Sequence, residues 1–99
     1  MYTINTKFEW HDKKAELNTL KHGISFEMAA FAFDDPCALI IEDTKHSSQE
    51  RRQWLIGDSG KKVLVVIFTK RAPRRNIRII SARLANRRER RMYEERKGI

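Results

Sequence analysis

The stretch KVLVVIF, residues 62–68, restricts the possible folds more than any other part of the sequence. It is a continuous apolar run that is rich in β-branched side chains. Runs of this kind are typical of a central strand that is covered on at least one face. We therefore predict a sheet that has residues 62–68 in its interior.

Further strands are predicted on both sides of this run: CALIIED at 37–43, RRQWLIG at 51–57 and IRIISARL at 77–84. The polar loop TKHSSQ follows the first of them, DSG at 58–60 predicts a turn, and RAPRRN is a basic connection. TKFEW at 6–10 predicts a short first strand. Because the later connections are short, we predict a mostly antiparallel meander.

Two helices are predicted between the first strand and the meander. Asp12 is the expected N-cap of KKAELNTLKH, because its carboxylate can accept from free backbone amides, and Gly23 is the expected left-handed C-terminus. Ser25 is the expected N-cap of the second helix, which Pro36 ends because proline disfavours helix at the preceding residue. Its apolar face is formed by Phe26, Ala29, Ala30 and Phe33.

A third helix is predicted over residues 87–97, since Asn86 and Glu89 have the spacing of a capping box. The predicted fold is therefore α+β, with a small, mostly antiparallel sheet, two N-terminal helices and a C-terminal helix. The element order is β-α-α-β-β-β-β-α. We expect residues 1–99 to form a single domain.

The net charge of +8 is concentrated at one end of the chain. Residues 1–69 have nine Lys or Arg against ten Asp or Glu, a net of −1, whereas residues 70–99 have twelve against three, a net of +9. Clustered basic charge attracts polyanions, because neutralising phosphates releases condensed counterions. Nucleic acid is the first expected partner; an acidic protein and a bland cationic surface are the alternatives.

The sequence does not predict a metal site, a cofactor site, a signal peptide or a membrane span. The three histidines and the single cysteine lack the spacing of a zinc site, and we expect no metal and no cofactor. MYTINTKFEW does not resemble a signal peptide, and no apolar run approaches the ~20 residues of a membrane span. We therefore expect a cytoplasmic protein that is not bound to a membrane.

The last predicted strand mixes isoleucines with arginines. Strict alternation would put Arg78, Ile80 and Ala82 on one face, and Ile77, Ile79, Ser81 and Arg83 on the other. Arg83, helped by Ser81, is suited to hold a phosphate, because the guanidinium makes two parallel hydrogen bonds. The alternative is a strand at the end of the sheet whose arginines only reach solvent.

Three other places carry candidate functional residues. The loop TKHSSQERR brings His46, Glu50 and Arg52 close in sequence, which suits the acid–base cleavage of RNA or an exposed polar loop. Lys21 and His22 end the first helix, where they also complement the helix dipole. The helix at 87–97 has only Met92 and Tyr93 as large apolar residues, which indicates a solvated helix, a nucleic-acid surface or a partner surface.

Nearly the whole chain resembles the BrnT toxins, the RelE-like ribonuclease partners of BrnA antitoxins in bacterial toxin–antitoxin pairs. The resemblance covers roughly residues 8 to 94, and it depends on the order and spacing of several short pieces. These are FEW with Lys14 and Asn18, KHGISFEMA, FDDP, IED, Glu50 and Arg52 ahead of IG, VLVVIFT, IRIISARLA and RRERRMYE.

The resemblance implies a RelE-like antiparallel sheet with helices on one side, and cleavage of RNA without metal or cofactor. It implies a BrnA-like antitoxin, a hetero-oligomer with that antitoxin, and binding of operator DNA only through it. The expected catalytic residues are Lys21, His22, Glu50, Arg78 and Arg83, and the expected RNA-binding residues are Arg52, Ser81, Arg87, Arg88 and Tyr93.

We expect the RNA 2′-hydroxyl to attack the adjacent phosphate, with His22 or Glu50 as base and with Arg78 and Arg83 stabilising charge. The alternative function is a non-enzymatic, basic nucleic-acid-binding module or an antitoxin-type interaction module.

Overall fold

The computed structural model describes residues 1–4, 7–46, 50–71 and 76–98. The strands are β1 Tyr2–Ile4, β2 Phe8–His11, β3 Leu39–Asp43, β4 Arg52–Asp58, β5 Val63–Arg71 and β6 Asn76–Leu84. The helices are α1 Asp12–His22, α2 Phe26–Phe31 and α3 Arg87–Lys97, with 3-10 turns at Ala32–Asp34 and Thr44–His46. No helix in these ranges is long and apolar enough to cross a membrane.

The six strands form one sheet in the order β1-β2-β6-β5-β4-β3. The strands from β3 to β6 form an antiparallel meander, as predicted, and β5 lies between β4 and β6 in its interior. β2 pairs in parallel with β6, and β1 pairs with β2. The prediction missed both pairings, because β1 was not foreseen and no local signal connects residue 8 with residue 77.

Helices cover both faces of the sheet. α1 and α2 pack on one face, where Ala15, Phe26 and Ala29 join a core with Leu64 and Val66 of β5. α3 packs on the other face, where Tyr93 contacts a second core around Ile56 and Val65. The α+β class, the two N-terminal helices and the C-terminal helix are confirmed. The expectation of helices on one side only is wrong, since α3 lies opposite α1 and α2.

The predicted helix ends are mostly confirmed. Gly23 ends α1 at a φ of 71°, and the Ser25 side chain accepts from the Met28 amide. Asn86 and Glu89 form the predicted capping box of α3. Asp12 is not a cap, because the N-cap is His11; Asp12 is the first helical residue, where a negative charge favours the helix dipole.

Several predicted boundaries were wrong by a few residues. α2 ends at Phe31 and continues as a 3-10 turn to Asp34, so the chain leaves the α conformation earlier than Pro36 requires. β3 begins at Leu39 rather than at residue 37. Thr6 of the predicted first strand, and residues 47–49 and 72–75 of the predicted connections, lie outside the described residues.

A β-bulge in β6 decides which side chains share a face. Ile67 is opposite Ser81, whereas Phe68 is opposite Ile79, so Ile80 is an extra residue on β6. An extra residue shifts the alternation of all side chains beyond it. Strict alternation was therefore the wrong assumption. Arg78 lies on the α3 face together with Ser81 and Arg83, and Ile77, Ile79 and Ala82 face α1 and α2.

Asn18 of α1 replaces a missing strand partner of β6. Its Nδ2 donates to the carbonyls of Ala82 at 2.8 Å and Ile24 at 3.0 Å, and its Oδ1 accepts from the Ala82 amide at 3.1 Å. The side-chain amide thus satisfies both main-chain groups of a residue that lies beyond the end of the β2 pairing. α1 is thereby fixed against the edge of β6.

α3 is held in its C-terminal half by a partly buried hydrogen bond. Tyr93 is 3% exposed, and its hydroxyl donates to Asp35 at 2.6 Å. Asp35 also accepts from the amides of Asp58 at 2.8 Å and Cys37 at 2.9 Å. Burial opposes ionisation of Asp35, but these hydrogen bonds outweigh it and lower the pKa of its carboxyl. Burial and the Asp35 carboxylate raise the pKa of Tyr93.

Replacing Asn18 tests its role at the edge of β6. Asn18→Ala removes the side-chain partner of three main-chain groups, two on Ala82 and one on Ile24, and we expect the free energy of unfolding to fall by about 2–3 kcal/mol. Urea unfolding measures this change. Thr19→Ala is the matched control, because that hydroxyl bonds mainly to Ala15 within an exposed turn of the helix. Equal losses in both variants would contradict the assigned role.

Replacing Asp35 tests the hydrogen bond between Tyr93 of α3 and the Asp35 carboxylate, because the free energy of unfolding should then depend on pH differently. Because its pKa is lowered in the folded protein, the ionised carboxylate stabilises the fold above the unfolded value of about 3.9, and this contribution is lost as the pH falls through the folded value. Asp35→Asn should lower the free energy of unfolding at pH 7 by about 1–3 kcal/mol.

The difference from wild type should begin to narrow as the pH falls below the unfolded value of about 3.9. It should disappear once the pH is below the lowered folded value, where the carboxyl is protonated in both states. Asp34→Asn is the control. The Asp34 carboxylate is exposed, and its ion pair with Lys7, at 3.9 Å, is long and solvated. If the free energies of unfolding of wild type and Asp35→Asn differ by the same amount from pH 3 to pH 7, the ionised Asp35 carboxylate does not hold α3.

Candidate functional site

The α3 face of the sheet is covered only in part. α3 lies over Ile56 and Val65, and no described helix lies over the neighbouring part of the same face. We call this part the open region; its residues are Arg52, Trp54, Ile67, Arg78, Ser81 and Arg83, each of which is half-buried. The register brings them together, because Trp54, Ile67 and Ser81 form one row across three strands.

Arg83 lies at the border of the open region, and its guanidinium is fixed on two sides. Nη1 and Nη2 donate to the two Glu89 carboxylate oxygens at 2.7 and 2.9 Å. The guanidinium also lies over the Trp54 ring, 5.6 Å from its centroid. The hydrogen bond to Glu89 raises the pKa of Arg83, and the bond from Arg83 lowers the pKa of Glu89. Arg83 is therefore an oriented donor whose charge is partly balanced.

Arg78 occupies the other end of the open region with a tyrosine from the N-terminal strand. Its Nη2 donates to the Tyr2 hydroxyl at 2.9 Å, and its guanidinium lies 5.4 Å from the Tyr2 ring centroid. The Tyr2 ring meets His11 edge-on, with 5.2 Å between centroids. Sequence reasoning missed Tyr2, because its position depends on the pairing of β1 with β2.

An acid–histidine pair borders the open region at the edge strand β3. Asp43 accepts from the Trp54 indole Nε1 at 3.0 Å, and His46 Nδ1 is 3.1 Å from each Asp43 oxygen. Burial opposes ionisation of Asp43, but the hydrogen bonds from Trp54 and His46 outweigh it and lower the pKa of its carboxyl. The sequence drew attention to His46, whereas Asp43 and Trp54 become visible only through the β3–β4 register.

The start of β4 adds two of the predicted residues. Arg52 lies opposite Asp43 in the β3–β4 pair, and Glu50 is half-buried two residues before it. Arg51, between them, is exposed and donates its Nε to Glu42 at 3.0 Å. Arg52 therefore belongs to the open region and Glu50 lies beside it, while Arg51 is held in a separate ion pair with Glu42.

The structure brings together about half of the predicted site residues. Arg52, Arg78, Ser81 and Arg83 share the open region, and Glu50 lies beside it. The remaining predicted residues lie elsewhere.

Lys21 and His22 end α1, which packs on the opposite face of the sheet. Arg87 and Arg88 are exposed in the first turn of α3. Tyr93 is on the side of α3 that packs against the sheet, where it is buried and donates to Asp35. We therefore assign it to packing rather than to a surface contact.

The open region has the properties of a phosphate-binding surface. Three guanidinium groups approach one face of the sheet. Because two Arg83 donors already bond to Glu89, phosphate oxygens would meet its remaining N–H groups and the planar forks of Arg52 and Arg78. Trp54 and Tyr2 offer aromatic surface for stacking against bases. The described residues contain no group of three or more His, Cys, Asp or Glu that could hold a metal ion.

Comparison with known protein families assigns the chain to one of them. The family model described as "ribonuclease toxin, BrnT, of type II toxin-antitoxin system" matches residues 10–89. The match covers most of the 99 residues, and it includes β3 to β6, α1 and α2. No curated protein matches the chain. The chain therefore belongs to the BrnT family of ribonuclease toxins.

Proposed function

We propose that this ribonuclease toxin of a type II toxin–antitoxin system binds and cuts RNA at the open region. The observation that carries this proposal is the bulge at Ile80, because it places Arg78 on the same face as Ser81 and Arg83. Without the extra residue, Arg78 would point toward α1 and α2. With it, arginines from β4 and β6 approach one surface that no described helix covers.

The proposed reaction is attack of a 2′-hydroxyl on the adjacent phosphate. Negative charge develops on the phosphate oxygens in the transition state, and fixed donors stabilise such charge best when they need no reorientation. Arg83 meets this condition, because Glu89 and Trp54 hold its guanidinium in place. Arg78 and Arg52 would neutralise neighbouring phosphates, with Ser81 as an additional hydroxyl donor.

Fixed arginines also make the proposed reaction independent of metal ions. A bound metal would supply positive charge next to the phosphate, and the guanidinium groups of the open region supply that charge themselves. The proton of the 2′-hydroxyl then passes to a group on the β3–β4 connection, where His46 and Glu50 are placed. Lys21 and His22 have no part in this proposal, because α1 packs on the other face.

A ribonuclease toxin of a type II toxin–antitoxin system has an antitoxin partner and an RNA target. We propose that this antitoxin is BrnA-like, that the two proteins form a hetero-oligomer, and that operator DNA is bound only through the antitoxin. The exposed arginines of α3 support such a complex, since they offer a basic surface to an acidic segment; they are Arg87, Arg88, Arg90, Arg91 and Arg96. We further propose that the fold is RelE-like, on the basis of its antiparallel meander.

Cleavage by purified protein in EDTA tests the proposed reaction. We expect a labelled RNA to be cut at the same rate with EDTA and with added Mg²⁺, and to yield 2′,3′-cyclic phosphate ends. Gel electrophoresis of the products measures both. Cleavage that requires added metal would contradict the mechanism. A complete loss of cleavage, also with translating ribosomes present, would contradict the proposed substrate.

Replacing Arg78 tests the location of the site. Arg78→Ala should lower kcat/KM by about 10–100-fold, because one charge-assisted contact to the phosphate is lost. Arg96→Ala is the matched control, since it removes the same charge from the last turn of α3, outside the open region. Equal activities of the two variants would place the site elsewhere. Urea unfolding of both variants checks that the fold is unchanged.

A further inference from the structure

His46 is the histidine that contacts a carboxylate within the part of the chain that the structure describes. It ends the 3-10 turn Thr44–His46, directly after β3, and its side chain is 64% exposed. The Asp43 side chain beneath it is only 8% exposed. An exposed imidazole therefore rests on a nearly buried carboxylate, at the border of the open region.

The hydrogen bond to Asp43 decides which ring nitrogen of His46 is available. An ionised carboxylate only accepts hydrogen bonds, so Nδ1, 3.1 Å from both oxygens, carries the hydrogen. In the neutral imidazole the lone pair is then on Nε2, which points away from Asp43. This is the arrangement that a general base needs, because Nε2 is ready to accept a proton.

Asp43 is itself held in place from the open region. The Trp54 indole donates to it at 3.0 Å, and the Arg83 guanidinium lies over the same indole ring. Arg83 is in turn fixed by Glu89. His46 is thus connected, through Asp43 and Trp54, with the arginine that the proposed function assigns to the phosphate.

We infer that His46 is the general base of RNA cleavage and that Asp43 is its positioning residue. This inference rests on the proposed function. Nε2 of His46 removes the proton of the 2′-hydroxyl while the 2′ oxygen bonds to phosphorus. The bond from phosphorus to the 5′ oxygen breaks, the 5′ oxygen takes a proton from water, and the imidazolium returns its proton to solvent. The products are a 2′,3′-cyclic phosphate and a 5′-hydroxyl.

Charged groups lie near His46 on three sides. Asp43 lies beneath it on β3, Arg52 lies opposite Asp43 on β4, and Lys45 precedes it in the same turn. Glu50 precedes β4 on the other side of the connection. An imidazole changes charge between about pH 5 and pH 8, so cleavage should rise with pH in this interval.

His46→Ala tests the inference directly. We expect kcat to fall by about 100-fold or more, because one general base typically contributes 10²–10⁴-fold. Affinity for a 2′-O-methyl RNA, which has no nucleophile, should stay unchanged. Added imidazole should restore part of the activity. The rise of kcat between about pH 5 and pH 8 should be lost.

Asp43→Asn tests the positioning role, and Lys45→Ala is the matched control in the same turn. The asparagine amide can donate toward Nδ1 and thereby favour the wrong tautomer, so kcat should fall while RNA affinity is kept. The pH profile of kcat should move as well, which a purely structural role would not cause. Lys45→Ala should retain the activity and pH profile of wild type.

The outcomes separate the inference from the proposed function. If His46→Ala cuts RNA at the wild-type rate while Arg78→Ala does not, His46 is not the general base, and the open region is still the site of cleavage. If wild type does not cut RNA at all, the proposed function fails. Partial rescue of His46→Ala by imidazole, together with unchanged affinity for 2′-O-methyl RNA, supports both the role of His46 and RNA cleavage at the open region.

Discussion

The extra residue in β6 is the constraint on which the rest of the candidate site depends. Ile80 has no partner opposite it on β5, so the side chains before it change face relative to those after it. Ile77, Ile79 and Ala82 can thereby all join the core beneath α1 and α2. Arg78, Ser81 and Arg83 are left together on the other face. A single irregularity thus provides both an apolar inner face and a polar outer one.

The outer face then needs an element that orients its arginines without covering them. α3 does this from one side: its capping-box glutamate, Glu89, closes the helix start and holds Arg83 with the same carboxylate. Tyr93 fixes the C-terminal half of the helix to Asp35. The helix therefore covers Ile56 and Val65, and its first turn presents Glu89 to the open region. Packing and site geometry depend on the same few contacts.

Local features of the fold could be read from the sequence, because their causes are local. Gly23, Ser25 and Asn86 mark helix ends through contacts within a few residues, and the apolar run of β5 identifies an interior strand. The parallel pairing of β2 with β6 has no such signal, since it joins residues about 70 positions apart. For the same reason the sequence did not reveal the helices on opposite faces.

The candidate site was predictable to a smaller extent. Arg52, Ser81 and Arg83 were identified by residue type, but the face of Arg78 depended on a bulge that no glycine or proline announces. The pair of Asp43 with Trp54 depends on the register of two strands, and Tyr2 depends on a strand that was not foreseen. Residue chemistry was readable from the sequence, whereas the neighbours of each residue required the sheet.

The two tryptophans provide the most direct measurement of where RNA binds. Trp54 lies in the open region, whereas Trp10 is 5% exposed in the core beneath α1 and α2. In an NMR titration with 2′-O-methyl RNA, the indole N–H signal of Trp54 should shift, together with the amides of Arg78 and Ser81, while the Trp10 signal stays in place. An unchanged Trp54 signal, with shifts confined to α1 around Lys21 and His22, would contradict the account.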